Sequence, residues 1–436
     1  MINSQDIAAK PNPSETVSGS VNAKQQAPVY PDQRQAWIVV LGLAVTLCIL
    51  FGTTLNSFGV FIQPITMTFQ SSHEQTANIP TAFMLTMTLA MPLAGWLLDR
   101  IGPRAVMTTG AILMGCGYLL ASISQDINNI TLALAVSGAG VGASTYVPAI
   151  ALVMRWVELK RQGLALGVML SGGSIGAMIF PILLTQMTEL YGWRFAMQFI
   201  AALALLICVP LLLWLARLPR QPLPGSDEHK NMQELAGQPI LKALRLPRYW
   251  LWIALQILMT LSSLGILVNV IPYLISVGYS SQEAATIFAF KSVAGLSGSF
   301  LFGLLSSRWG IKPLLMIGTA IGGFGILTLL LANDPSFSFS AVIFFTIAWG
   351  ATFNLVNQLS PMLMEEVVGQ RNFGSLLGIG SLIAGIGGAY SPKLIGYLLD
   401  TTGSYSIALL LCAACTLGAL IPIVFLPKRA PVSTVL

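Results

Sequence analysis

Charge is what this sequence has least of. Asp, Glu, Lys and Arg make up 9% of its 436 residues, against about 25% in an ordinary soluble domain. A soluble protein of this length could not cover its surface with so few charges, and a disordered chain would need more of them. Histidine is nearly missing: His73 and His229 are the two present, and both fall in loops. An imidazole-built metal centre or an acid–base enzyme site therefore has little to draw on. The five cysteines, Cys48, Cys116, Cys208, Cys412 and Cys415, all lie inside apolar runs. Cys412 and Cys415 have C-x-x-C spacing, but no second pair or histidine stands near them, so they fit helix packing better than zinc. No metal, cofactor or redox chemistry is indicated. What is abundant is apolar, with 55% hydrophobic residues and a mean hydropathy of +0.77. The solvent for most of this chain is lipid.

A membrane-crossing helix needs about 20 mostly apolar residues. Cutting the chain at its Pro, Gly and charge punctuation leaves twelve such runs, at 37–62, 79–98, 105–124, 130–154, 163–187, 194–216, 250–276, 282–306, 313–332, 338–363, 373–398 and 404–427. The expected fold class is an all-α integral membrane protein with twelve transmembrane helices in two six-helix bundles. Residues 1–35 are polar and lack an apolar signal segment, so a disordered tail is expected there. The first bundle would take 36–216, a basic, proline-bearing linker 217–249, the second bundle 250–427, and a short tail 428–436.

The net charge of +6 could suggest nucleic acid on a soluble protein; here its distribution carries the information. With the amino terminus inside, only Arg194 of the 22 lysines and arginines falls in an outer loop, and Lys291 and Lys393 lie within spans. All the others then lie on the cytoplasmic side, which is the side that retains cations. The expected placement is a multi-pass plasma (inner) membrane protein with both termini cytoplasmic, contacting lipid and a small-molecule substrate and not nucleic acid, and able to work as a monomer.

The chain repeats itself. After span 2 it runs Gly95-Trp-Leu-Leu-Asp99-Arg100-Ile-Gly102-Pro-Arg104, and after span 8 Gly303-Leu-Leu-Ser-Ser307-Arg308-Trp-Gly310-Ile-Lys312, at an offset of 208. Gly163, Gly167, Pro181 and Gly192 match Gly374, Gly378, Pro392 and Gly403 at an offset of 211. Duplicated bundles are a common plan for transporters. Gly95 and Gly102 permit close backbone approach and a tight turn. Asp99, at the end of a span, suits a cation or a helix amino terminus. Arg155 and Glu158, about one helical turn apart at the end of span 4, could join the same latch. Arg100 and Arg104 also read as plain orientation anchors. The second copy, with Arg308 and Lys312 but Ser307 in place of the acid, should latch more weakly.

The Gly95–Arg104 stretch resembles the loop 2–3 signature of the major facilitator superfamily, Gly-x-x-x-Asp-Arg-x-Gly-x-Arg, and the likeness of plan covers nearly the whole chain. More narrowly, Asn56-Ser-Phe-Gly-Val-Phe, Arg155-Trp156 followed by Arg161-Gln-Gly-Leu-Ala-Leu-Gly167, and Gly192-Trp193-Arg194 resemble the monocarboxylate-transporter and oxalate/formate-antiporter branch. The resemblance implies that the loop network latches an outward-open state and breaks on each cycle. It also implies a central cavity lined by helices 1, 4, 7 and 10. The branch's anion-binding arginine, however, corresponds to Ser299, the antiporter lysine to Gly380, and the carriers' paired aspartate to Gly295.

Charges inside spans are functional candidates by default. Lys291 lies near the middle of span 8, and no acid or histidine lies at comparable depth in the expected spans. Such a cation reaches water, gives up its proton or awaits an anion. An anion-binding lysine is the leading reading, with a structural or a titrating lysine left open. Lys291 and Ser299 share a helix face about 12 Å apart. Lys393 sits where its stem reaches the interface. The remaining candidates are mid-span polar and aromatic residues: Asn56 on span 1, Ser144 and Tyr146 on span 4, Asn269 and Tyr273 on span 7, and Trp349, Asn354, Asn357 and Gln358 on span 10. Trp349 and Phe353, spaced i, i+4, offer an aromatic face to a small planar ligand. The alternative for the amides is hydrogen bonding between helices.

The function expected is secondary active transport of a small organic anion, a mono- or dicarboxylate, by alternating access, as an exchanger or with protons as the coupling ion. Efflux of neutral or amphipathic drugs stays open, as does a transport-deficient membrane sensor. An enzyme is not expected.

Overall fold

The computed structural model describes residues 33–71, 73–158, 160–218, 239–334, 336–370 and 372–426. Among them there is no β-strand, and twelve helices are long and apolar enough to cross a membrane. Spans 1–6 are Gln33–Phe69, Asn78–Ile101, Pro103–Ile123, Ile127–Trp156, Lys160–Tyr191 and Trp193–Leu215; spans 7–12 are Pro247–Ser276, Gln282–Trp309, Ile311–Asn333, Ser338–Val368, Phe373–Thr402 and Tyr405–Phe425. The largest boundary difference is the end of span 1, expected at 62 and found at Phe69. Thr66 and Thr68 donate back to the Ile62 and Pro64 carbonyls, so the helix continues past the point where hydropathy falls. Span 1 begins at Gln33, inside the stretch expected to be tail, and span 7 at Pro247, inside the stretch expected to be linker. A proline suits a first helical turn because its missing N–H has no partner there anyway. Of the expected tails and linker, 1–32, 219–238 and 427–436 lie outside the described residues, as does Arg371, while the described end of the linker carries a short helix at Ile240–Ala243.

The two halves are built alike. Spans 1 and 5, 2 and 4, 3 and 4, and 3 and 6 pack together in the first half; spans 7 and 11, 8 and 10, 9 and 10, and 9 and 12 repeat those pairs in the second. The sharp turns repeat as well. Gly102 (φ 84°) and Gly310 (φ 81°) lead into spans 3 and 9, and Gly192 (φ 84°) and Gly403 (φ 67°) into spans 6 and 12. A side chain is strained at such angles, which explains why these four glycines mark the repeat.

We call the end of the molecule at which the described chain starts and finishes the tail end. There the halves meet mainly through spans 2 and 11 and through spans 5 and 8, with spans 4 and 11 and spans 5 and 10 also touching, and the repeat glycines face each other. A Cβ on Gly95 would lie 2.1 Å from the Gly374 carbonyl oxygen, and one on Gly303 would lie 2.9 Å from the Leu164 Cα and 3.0 Å from the Gly163 carbonyl oxygen. One turn deeper, Gly378 meets Met91 and Gly167 meets Ser299 in the same way. Small residues let helices approach backbone to backbone. Toward the other end, Phe58–Phe69 of span 1 and Ser391–Thr402 of span 11 pack against helices of their own halves.

That far end of the first half is tied by Arg194. Its guanidinium donates to the Ser124 carbonyl at 2.8 Å and lies 4.3 Å from the Trp193 ring and 5.7 Å from the Phe69 ring, while the Trp193 indole donates to Thr68 at 3.0 Å. Arg194→Ala is expected to destabilise the fold by about 2 kcal/mol, read as a lower unfolding midpoint of the purified protein. An unchanged midpoint would show that the clamp holds nothing.

Candidate functional site

Among the described residues five spans are interrupted: span 11 at Tyr390, span 12 at Ala419, and three whose breaks gather polar side chains. Span 1 leaves its helix at Thr54–Ser57, span 4 at Thr145 (φ −111°, ψ −103°), and span 10 between Thr352 and Leu355. Lipid offers no partner to polar backbone, and side chains at the breaks bond back onto it, joining the Asn56 N–H on Phe51 and the Thr145 N–H on Val141. Asn56 donates to the Phe51 carbonyl at 3.0 Å and Ser57 to Gly52 at 2.6 Å; Thr145 donates to Val141 at 2.7 Å and Ser144 to Gly140 at 2.8 Å. Asn56 is thus a cap on a broken helix, although its side chain is exposed. No sequence feature used above predicted these breaks; Thr, Ser and Asn clustered at one depth were the available signal.

Lys291 lies beside the span 10 break. It is 7% exposed, and among the described residues no carboxylate pairs with it. Its amine is held by rings instead, with Nζ 3.6 Å from the centroid of Phe353, 5.2 Å from Trp349 and 5.3 Å from Phe288. Desolvated contacts of this kind are worth about 2 kcal/mol. Span 10 comes this close because Gly350 has no side chain; a Cβ there would lie 2.9 Å from the Lys291 carbonyl oxygen. Along span 10 the rings form a column, Phe345 stacked on Trp349 at 5.2 Å and 13°, and Trp349 edge-on to Phe353 at 5.2 Å and 70°. The Trp349–Phe353 face therefore holds the protein's own cation in this state, a fourth way of keeping a buried lysine that the sequence did not suggest. Val270, Leu274, Ile287 and Thr346 complete the wall of a cavity of about 10 Å³, room for about one water.

Below Lys291, span 10 reaches into the other half. The Tyr146 hydroxyl lies 3.3 Å from both the carbonyl and the side-chain oxygen of Asn357. Asn354 donates to Ser299 at 3.4 Å and to Ser174 of span 5 at 3.5 Å. Gln358, fully buried, donates to the Gly163 carbonyl at 2.7 Å and the Ser299 carbonyl at 3.0 Å. Ser299 does share the face of Lys291, but its hydroxyl bonds back to Gly295. Tyr146, Ser174, Ser299, Asn354, Asn357 and Gln358 thus join spans 4, 5, 8 and 10 across the two halves. Asn269 and Tyr273 do not reach this cluster: Asn269 donates to Gly265 at 2.9 Å and the Tyr273 hydroxyl to the Leu329 carbonyl, both lining a separate small cavity with Tyr405 and Cys412. Lys393 is exposed.

At the tail end Asp99 crosses between halves. It accepts from the Gly374 N–H at 3.3 Å, the Ser375 N–H at 2.8 Å and the Ser375 hydroxyl at 2.6 Å, at the amino terminus of span 11, where a helix dipole favours negative charge. Arg155 stands 3.9 Å away. Glu158 does not stack one turn from Arg155, because the span 4 helix stops at Trp156; its carbonyl caps the start of span 5 through Arg161 and Gln162. Arg100 lies over Trp96 at 4.1 Å, and Arg104 and Arg308 are exposed. Lys312 donates to the Val424 carbonyl at 2.7 Å and to that of Leu426, and the Ser307 hydroxyl turns back onto Leu304. The repeat is thus symmetric in backbone and asymmetric in charge. Glu365 lies two residues past the expected end of span 10 at 363; it is half-buried, accepts from Gln370, and its buried second oxygen has no partner among the described residues.

The comparisons with known proteins agree with this architecture. The Major Facilitator Superfamily model matches residues 42–392. Monocarboxylate transporter 13 of Bos taurus is 26% identical over 403 residues, covering 91% of this chain and 90% of that protein. Monocarboxylate transporter 12 of Mus musculus is 26% identical over 412 residues, covering 88% and 83%. The solved fucose:proton symporter of E. coli superposes with a TM-score of 0.68 at 18% identity, over 90% of this chain and 99% of that one. Those relatives are transporters and not enzymes. The chain belongs to the major facilitator superfamily, as a multi-pass membrane transporter related to the monocarboxylate branch.

Proposed function

We propose that this transporter moves a small organic anion, a mono- or dicarboxylate, by alternating access. The observation that carries the reading is the buried Lys291 amine, which has aromatic rings around it and, among the described residues, no acid paired with it. A desolvated cation of that kind is compensated best by a carboxylate arriving with the substrate. The distribution of lysine and arginine supports a cytoplasmic tail end in the plasma (inner) membrane. With the contacts between halves at that end, the structure is then outward-facing. Asp99 on span 11 serves as its main latch, with Arg155 beside it, and the Tyr146–Asn357, Asn354–Ser299 and Gln358–Gly163 contacts form the floor under the site. The transporter works as a monomer.

The deciding experiment is uptake of labelled mono- and dicarboxylates into proteoliposomes, run with an opposing internal anion and, separately, with an imposed pH gradient. Stimulation by internal anion marks an exchanger, and stimulation by the gradient marks proton coupling. No carboxylate uptake above protein-free vesicles, with stabilisation by neutral lipophilic compounds instead, would replace this reading with efflux. The latch is tested separately. Asp99→Asn removes a charge from a helix amino terminus and weakens charge-assisted hydrogen bonds, at a cost of about 2 kcal/mol. A cysteine introduced in a tail-end loop should then label about thirtyfold faster, and unchanged labelling would remove Asp99 from the latch.

A further inference from the structure

The ring column beside Lys291 says more about the substrate than the charge does. Phe353 covers the amine at 3.6 Å, and the cavity beside Lys291, walled by Phe288, Phe345 and Trp349 among others, holds only about one water. A carboxylate therefore reaches the amine only if a ring against it moves, and Phe353 is the nearest of them and half-buried. Phe353 stands at the break in span 10, where it closes the first helix with an N–H bond to Gly350 at 3.2 Å, so its displacement need not disrupt a continuous helix. When it leaves, Trp349 loses its edge-on partner while keeping Phe345 stacked on the other side.

We propose, resting on the carboxylate reading of Lys291, that the preferred substrate is a monoanion with a flat apolar body, an aryl-substituted carboxylate. Its carboxylate takes the amine and its body takes the place of Phe353 against Trp349. A ligand ring restores the aromatic contact that the departing side chain gives up; a two- or three-carbon acid offsets only the charge. One lysine compensates one carboxylate, and among the described residues no second cation stands in this wall, so a dianion would bring an unpaired charge into an apolar site. Val270, Leu274, Ile287 and Phe345 offer a polyol no hydrogen bonds, and Thr346 contributes the one side-chain hydroxyl among the cavity's residues. A hydroxyl-rich ligand is disfavoured for that reason.

The test uses the full-length protein in proteoliposomes, with phenylpyruvate and benzoate against lactate, acetate, oxalate and succinate, each corrected for protein-free vesicles. The expected result is kcat/KM for the aryl monocarboxylates roughly tenfold above the short ones, no saturable dicarboxylate uptake, and a selectivity ratio that falls toward one in Phe353→Ala. Phe353→Leu keeps an apolar side chain of similar bulk and carries the same test if the alanine variant does not fold. Lys291-dependent uptake in which lactate or oxalate equals the aryl acids, or a ratio unmoved by both variants, overturns the inference and leaves the carboxylate reading standing. Carboxylate uptake that persists in Lys291→Ala overturns the site on which both rest, and so does uptake of no carboxylate by the wild type.

Discussion

Lys291→Ala is expected to lower saturable carboxylate uptake by about 100-fold, the loss of one charge-assisted contact of about 3 kcal/mol in a dry site. The fold should not suffer in proportion. A buried cation without an acid is costly to keep, and the rings of Phe288, Trp349 and Phe353 offset only part of that cost. The unfolding midpoint of the alanine variant should therefore equal or exceed that of the wild type. Lys291→Met keeps the length of the stem and should match alanine in transport. Lys291→Arg keeps the charge but spreads it over a planar group that must fit a wall shaped for an ammonium, so partial activity is expected. A fallen midpoint together with lost uptake would mark Lys291 as structural, and the anion site would have to be sought elsewhere.

Gly95→Val should stop the transport cycle altogether, by a backbone clash. The added Cβ would lie 2.1 Å from the Gly374 carbonyl oxygen and 2.6 Å from its carbon, and neither can rotate away as a side chain would. Spans 2 and 11 would have to separate at the tail end, which also pulls Ser375 from Asp99. The variant should fold, because Gly95 meets the other half and not its own core, but it should remain open at the tail end. Uptake should fall more than 100-fold, the equivalent of about 3 kcal/mol against the closed state, and a tail-end cysteine should label freely. Gly303→Val tests the matching contact, where Leu164 and Gly163 lie at 2.9–3.0 Å; that gap is looser, so a smaller loss is expected. Near-normal uptake by Gly95→Val would show that the closed tail end does not recur in the cycle.

How much of this was legible beforehand follows from the length scale of each interaction. The twelve spans were legible because burial in lipid acts on each run of about 20 residues independently. The repeat was legible because Gly102, Gly192, Gly310 and Gly403 answer to local backbone angles, and Asp99 because a lone acid after a span has few partners besides a helix amino terminus. The site was legible only as a set of candidates. Asn56, Tyr146, Asn269, Tyr273, Asn354, Asn357 and Gln358 are polar residues at one depth, and hydropathy does not say which way each one faces. The structure turns Asn269 and Tyr273 toward span 12, commits Asn354, Asn357 and Gln358 to contacts between the halves, and makes Asn56 a cap.

Membrane class, span count, duplication and the isolated lysine were thus determined by the sequence itself, since each depends on composition or on neighbours a few residues away. Which residues meet across the two halves was decided only in three dimensions. Gly95 and Gly374 are 279 positions apart, and nothing local to either specifies the other. The aromatic cage on Lys291 likewise depends on the breaks and glycines that let span 10 lie against span 8, a packing outcome that no single helix encodes.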